Sequence, residues 1–380
     1  MSMKHYITLG RSGLRVSPLC LGTMTFGTEW GWGADEDVSR AVFHRYLEEG
    51  GNFVDTANGY TNGKSEELLG RFITEDGLRD RIVLATKFTF NTQPGDPNAG
   101  GNGRKNIYRS LEASLRRLRT DYVDLYWLHA WDTITPVEEV VSTFDDLVRA
   151  GKIRHYGFSD TPAWYAARAH TLAEKEGKER LIALQLEYSL VERNIEREHI
   201  PAAQELGLAV CPWSPLGGGF LSGKYKREGK IVRGDGRHEK VLAAAEGNPA
   251  IRKLTEQRFG DRNWQILSVL TEVAKEVGGS PAQVALNWVA TQPGIVSPII
   301  GATKVAQLND NLAALSFVLP SSLRERLDAV SVLEPAHPYA FFAPMMQAMI
   351  SGGAEVEAWR PARATGAPIE IGAPRQEVAA

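Results

Sequence analysis

The 380 residues are 43% hydrophobic and carry a formal charge of −3, with a pI near 6.3. That is enough apolar material for one large domain or two ordinary ones, and the near-neutral balance leaves no footprint for nucleic acid. Cys20 and Cys211 both lie in apolar runs and read as buried thiols without a disulfide framework. The first residues lack the apolar stretch of a signal peptide and no run has the length of a membrane span, so a cytoplasmic protein is expected.

The chain opens with a predicted hairpin, in which Tyr6-Ile7-Thr8-Leu9 and Leu14-Arg15-Val16 flank the turn-rich Gly10-Arg11-Ser12-Gly13. Short apolar runs then alternate with amphipathic stretches. Run 18–22 precedes a helical pattern over 36–49, 53–55 precedes 65–73, 82–87 precedes 106–118, and 123–129 precedes 136–150. Run 153–159 precedes 161–176, and 181–186 precedes 195–206. Run 208–211 precedes 265–277 after a long insertion, and 295–300 precedes 304–315. Glycine follows several of the helical patterns, while Pro136 and Pro162 stand near two starts, after Thr135 and Thr161.

Eight strand-helix units in succession imply an α/β protein with a parallel sheet. Their number and span suit a (β/α)₈ TIM barrel, with an open doubly wound sheet as the rival. On the barrel reading residues 1–334 are a single domain and 335–380 a C-terminal extension. The Pro-, Ala- and Gly-rich end, 360–380, reads as loosely ordered. Long loops over 88–103 and 224–263 follow barrel strands three and seven, on the face where barrels build their sites. The charged stretch 252–262 is most simply a solvated surface.

Four polar residues sit where apolar runs give out. Asp55 closes Asn52-Phe53-Val54-Asp55, with Tyr60 on the loop beyond. Lys87 closes Ile82-Val83-Leu84-Ala85-Thr86-Lys87, and His129 ends the run from Tyr122. On neighbouring parallel strands these side chains converge at one mouth. An ammonium beside a phenol lowers the phenol pKa, and a carboxylate keeps that ammonium charged. Such a phenol protonates a carbonyl oxygen while the imidazole directs it, and the hydride must come from a nicotinamide. An Asp55–Lys87 salt bridge and a satisfied core histidine are the structural alternatives.

The chain resembles an aldo-keto reductase over about residues 4–330. The resemblance rests on Asp55-Thr56-Ala57-Asn58-Gly59-Tyr60, Leu84-Ala85-Thr86-Lys87, the run from Asp121 to His129, Gly157-Phe158-Ser159 and Trp213-Ser214-Pro215-Leu216-Gly217. It implies Tyr60 as proton donor, Lys87 and Asp55 as its tuners, and His129 as the group that orients substrate. Thr61 and Arg119 stand where relatives often have glycine, and Asp160 stands where they usually have asparagine.

The glycine-rich Gly217-Gly218-Gly219-Phe220-Leu221-Ser222-Gly223 lacks the third glycine and the position of a Rossmann fingerprint. Following strand seven, it fits the phosphate site of a barrel. The resemblance implies that Trp213 stacks on a nicotinamide and that Ser159 and Gln185 hold its carboxamide. It assigns Ser214, Leu216, Gly219 and Lys224 to the pyrophosphate, and Gly301, Thr303, Lys304, Gln307, Asp310 and Asn311 to the adenosine end. Gly22, Thr23, Met24 and Asp55 complete the cofactor set. Thr303 and Lys304 suit a 2′-phosphate and favour NADPH/NADP+, while Gln307, where some relatives have arginine, leaves NADH open.

Trp30, Trp32, Phe88 and Trp131 are candidate pocket walls, each equally readable as packing. The long loops and aromatic residues point to a roomy pocket for an aryl or polycyclic carbonyl or alcohol. No His, Cys or carboxylate spacing implies a metal. The expected function is NADPH-dependent reduction of an aldehyde or ketone. The alternative is a nucleotide-binding redox sensor of little turnover, resembling channel β subunits. No nucleic-acid or membrane partner is expected.

Overall fold

The computed structural model describes residues 1–228, 231–234 and 257–356. Strands β1 (Ile7–Thr8) and β2 (Arg15–Val16) pair antiparallel as the opening hairpin. Then β3 (Cys20–Gly22), β4 (Phe53–Asp55), β5 (Val83–Phe88), β6 (Val123–Leu128), β7 (Ile153–Ser159), β8 (Ala183–Gln185) and β9 (Ala209–Val210) lie side by side in chain order, all parallel. A second hairpin, β10 (Lys226–Glu228) with β11 (Ile231–Arg233), stands in the insertion after β9. Strand β12 (Ile299–Ile300) joins the far side of β3. The Ile299 N–H donates to Pro212 O at 2.7 Å and Val210 bridges Ile295 in parallel, which closes the eight strands into a barrel. The fold is a (β/α)₈ barrel, and the open-sheet rival is excluded.

The helices follow the predicted rhythm. They are α1 (Glu36–Glu48), α2 (Lys64–Glu75), α3 (Arg104–Leu118), α4 (Val137–Arg149), α5 (Ala163–Lys175), α6 (His199–Leu206), α7 (Asp261–Val277), α8 (Pro281–Ala290), α9 (Val305–Leu312) and α10 (Ser321–Ser331). Sequence patterning missed α8 and α10. Helix α8 starts on a capping box, in which the Ser280 hydroxyl accepts from the Gln283 N–H and the Gln283 side chain accepts from the Ser280 N–H.

Period-two alternation sorts each barrel strand between two apolar layers. Leu84, Tyr126, Tyr156, Phe158 and Leu184 face the helices. Phe53, Val83, Ala85, Leu125, Trp127, Ala183, Ala209 and the thiols Cys20 and Cys211 fill the barrel interior. Trp127 fits there because Gly157 has no side chain; a Cβ would stand 2.4 Å from the indole. Leu9 and Val16 belong to the same inner cluster, and the Arg11 N–H donates to Gly207 O at 2.8 Å, so the hairpin closes the N-terminal end of the barrel.

The chain divides into two compact units, Met1–Leu333 and Glu334–Ala380. Within the second, a 3₁₀ turn (Tyr339–Phe342) leads to α11 (Pro344–Ile350), with Tyr339 edge-on to Phe342. The loose order expected for 360–380, and most of the 224–263 insertion, lie outside the described residues. The solvated surface expected for 252–262 holds in part among the described residues: Gln257, Gly260 and Asp261 are exposed, while Phe259 is buried. Arg258 pairs with Glu187 at 2.6 Å and Arg262 donates to Ser331 O at 2.8 Å, both half-buried. Among the described residues no helix is long and apolar enough to cross a membrane.

Candidate active site

Asp55 is the last residue of β4, Lys87 the penultimate of β5, and His129 follows β6 directly. Tyr60 opens a 3₁₀ turn (Tyr60–Gly63) above Asp55. Lys87 has no exposed side-chain surface. Its Nζ donates to Asp55 Oδ2, to Thr56 O at 2.8 Å and to the Tyr60 hydroxyl at 3.2 Å. The other carboxylate oxygen of Asp55 accepts from Gln185 Nε2 at 3.1 Å. The Tyr60 ring meets His129 edge-on at 5.9 Å and Trp30 at 6.3 Å. His129 Nδ1 is buried with no hydrogen-bond partner among the described residues.

Burial governs the protonation of this cluster. It pushes the Tyr60 phenol above its ordinary value, and the Lys87 ammonium recovers only part of the shift. The lowered phenol expected from the sequence is therefore corrected, because desolvation outweighs the ammonium. Burial pulls Lys87 down, but Asp55 and Tyr60 together outweigh it and the amine stands above an ordinary lysine. Burial raises the Asp55 carboxyl against the pull of Lys87. His129 lies well below an ordinary histidine, first through burial and then through the Lys87 charge, so its imidazole is neutral near pH 7.

Two loops are held in left-handed backbone to shape the mouth. Thr61 has φ of 45°; its hydroxyl donates to Phe26 O at 2.8 Å and accepts from the Ser65 N–H at 3.1 Å in the first turn of α2. Thr89, at φ of 113°, donates to Asn102 Oδ1 at 2.7 Å and accepts from the His129 N–H at 3.2 Å. Asn102 in turn donates to Ala130 O at 2.9 Å and, through its N–H, to Asp132 Oδ2 at 2.8 Å. This bracket ties the loop after β5 to the loop after β6. It also presents Phe90 to the His129 ring at 4.8 Å.

A model of the Aldo/keto reductase family matches residues 18–332. The chain is 37% identical over 337 residues to the uncharacterized oxidoreductase YrpG of Bacillus subtilis (86% of this chain, 95% of the relative). It is 35% identical over 348 residues to norsolorinic acid reductase stcV of Emericella nidulans (89% and 84%). It is 33% identical over 343 residues to the aryl-alcohol dehydrogenase [NADP(+)] of Phanerodontia chrysosporium (87% and 86%). The chain belongs to the aldo/keto reductase family. It is an NADP-dependent oxidoreductase and uses NADPH and NADP+.

The aldo/keto reductase site opens into a cavity of about 940 Å³, at the upper end of the range usual for cofactor sites. Of the cofactor residues expected from the sequence, Gly22, Met24, Asp55, Ser159, Gln185, Trp213, Ser214, Leu216, Gly219 and Lys224 line it. So do Gly301, Thr303, Lys304, Gln307, Asp310 and Asn311. The residues fit a dinucleotide. The 3₁₀ stretch Gly217–Ser222 turns at Gly218 and Gly219, with φ of 66° and 92°, beside the Lys224 side chain, which suits a pyrophosphate. Thr303 and Lys304 sit at the start of α9, whose positive end favours a phosphate; the Thr303 N–H and hydroxyl both donate to Gln307 Oε1, at 2.9 and 3.0 Å.

One expected contact is corrected, and two lining residues also brace the fold. Thr23 is fully buried and turned from the cavity; its hydroxyl donates to Asp55 O at 3.0 Å and meets Ser65 Oγ. Asp310 lines the cavity but accepts from Ser280 Oγ at 3.0 Å and Gln283 Nε2 at 2.7 Å, which ties α9 to the α8 cap. Asn311 Nδ2 donates to Gly301 O at 3.3 Å and braces the end of β12.

Trp30 and Trp32 line the cavity 5.6 Å apart. Phe88 does not. Next to inward-facing Lys87 it must face outward, and it packs against Tyr126 and Phe144. Trp131 turns away onto Trp164 and Tyr165. Sequence reasoning missed Phe90, Asn58, Thr25 and, as a lining residue, Asp160. The position of Phe90 just beyond Lys87, on a loop at the mouth, was the available signal.

Proposed function

We propose that this aldo/keto reductase interconverts an aldehyde or ketone with its alcohol, with Tyr60 as the group that gives and takes the proton. One observation carries the reading: the line of contact from Asp55 through Lys87 to the Tyr60 hydroxyl, on a phenol that lines the cavity beside His129. Bound NADPH supplies the hydride for reduction, and NADP+ accepts one in the reverse direction. Tyr60 stays protonated near neutrality and donates to the carbonyl oxygen as that oxygen gains electron density. Lys87 remains charged and stabilises the phenolate left behind, while Asp55 holds Lys87 in place. His129, neutral and lining the cavity beside Tyr60, directs the substrate oxygen.

The substrate proposed is an aryl carbonyl or alcohol. Trp30, Trp32 and Phe90 give the outer cavity flat apolar walls, and two of the relatives above are an aryl-alcohol dehydrogenase and norsolorinic acid reductase. Thr303 and Lys304 support NADPH over NADH.

The test is Tyr60→Phe against a carbonyl panel with NADPH and NADH compared. Turnover is expected to fall by about 10²–10⁴-fold, with NADPH binding retained. Full activity in the variant would remove Tyr60 from its role. Slow turnover of every carbonyl by the unaltered protein, with tight NADPH retention, would favour the redox-sensor reading.

A further inference from the structure

The reaction as described leaves one anionic side chain in the cavity unused. Asp160 follows Ser159 at the end of β7 in left-handed backbone, with φ of 43°. Its N–H donates to Gln185 O at 3.2 Å and its carbonyl accepts from the Trp131 N–H at 3.3 Å, so the backbone is fixed on both sides. The carboxyl lines the cavity with Tyr60, His129, Gln185 and Trp213. Oδ1 accepts from the Trp213 indole N–H at 3.1 Å and Oδ2 from the Ser159 hydroxyl at 3.3 Å. Hydride transfer to a carbonyl held at Tyr60 requires the nicotinamide ring in this part of the cavity.

The surrounding charges compensate Asp160 only in part, through Lys87. Lys87 is matched by Asp55, and Glu187, whose carboxylate also acts on Asp160, is paired with Arg258. Although Asp160 is exposed at the cavity wall, the protein crowded around its carboxyl pushes the pKa up to about 6, so it is ionised at mildly alkaline pH. The same charge acts on Tyr60 across the cavity.

On the cofactor reading above, we propose that Asp160 selects the oxidation state of the bound nucleotide. Its carboxylate favours the cationic oxidised nicotinamide over the neutral reduced ring. As the hydride leaves with its electron pair for the carbonyl carbon, and Tyr60 supplies the proton to oxygen, the ring acquires one positive charge. Asp160 stabilises that charge. It thereby draws hydride transfer toward the alcohol on the enzyme and makes NADP+ the more tightly held nucleotide.

The test is Asp160→Asn, which keeps an oxygen acceptor for Trp213, removes the charge, and turns the group facing the Ser159 hydroxyl from acceptor to donor. Dissociation constants for NADP+ and NADPH are measured near pH 8 by quenching of intrinsic tryptophan fluorescence. The 2′-phosphate is common to both nucleotides and cancels in the ratio. NADP+ is expected to weaken by about tenfold and NADPH by less than about threefold. An equal change in both, as a merely structural role would give, or no change in either overturns the inference while leaving the proposed function standing. Failure of the unaltered protein to bind either nucleotide overturns the proposed function and this inference with it.

Discussion

His129 is neutral in the fold because burial and the Lys87 charge both oppose a proton there. Its folded pKa is depressed, so its contribution to stability is present above the unfolded value of about 6.5 and is lost as pH falls below it. Below that pH the unfolded chain binds a proton that the fold excludes, at up to about 1.4 kcal/mol per pH unit. His129→Gln removes this dependence. Urea unfolding from about pH 7 to about pH 5 is expected to show a shallower loss in the variant than in the unaltered protein. Equal slopes would move the effect to His155 and His170, which burial also holds low.

Elements end, in this chain, on side chains that do not suit their backbone. Thr61, Arg119 and Asp160, three of the departures from the family pattern, have φ of 45°, 53° and 43°. Left-handed backbone favours glycine, and asparagine or aspartate tolerates it. Thr61 is offset by the two hydrogen bonds that its hydroxyl makes. Arg119 ends α3 in a Schellman turn, with the Thr120 N–H on Leu115 O at 3.2 Å, and its side chain is exposed. Arg119→Gly is therefore expected to stabilise the protein by about 0.5–1 kcal/mol, read as a higher urea midpoint. A lower midpoint would mean that the arginine side chain contributes a contact that outweighs the backbone strain.

The strand-helix rhythm was legible because each unit spans several periods, and Asp55, Lys87 and His129 because each interrupts an apolar run at a strand end. Helix α8 was not legible. Ala282, Val284, Ala285, Leu286, Trp288 and Val289 are buried nearly all round it, which erases amphipathic contrast. Only its Ser280-Pro281 start and Gln283 marked it. For Phe88, read equally as pocket wall or packing, strand alternation from its neighbour Lys87 decides for packing. Phe90 escaped notice because the Thr89–Asn102–Asp132 bracket, a contact between distant loops, sets its direction.

At the scale of the molecule, the two faces of the barrel have opposite characters. The mouth is broad and aromatic, and Phe90 remains 56% exposed there beside His129. Phe90→Ala is expected to raise KM for an aromatic aldehyde by about fivefold to tenfold and to leave a three-carbon aldehyde nearly unchanged. An equal effect on both would assign Phe90 to loop structure and weaken the aryl reading.

The other face is shut by the hairpin, and the packed interior around Trp127 leaves no way through from that side. Lys87 lies fully buried on top of that packing with its ammonium against Asp55, Thr56 and Tyr60. Traffic with bulk water is thus one-way in and the same way out, past the phenol oxygen. Tyr60→Phe removes that oxygen and the hydrogen bond that the ammonium gives it, so the ammonium hydrogens of Lys87 would trade with deuterium in the solvent faster than in the unaltered protein.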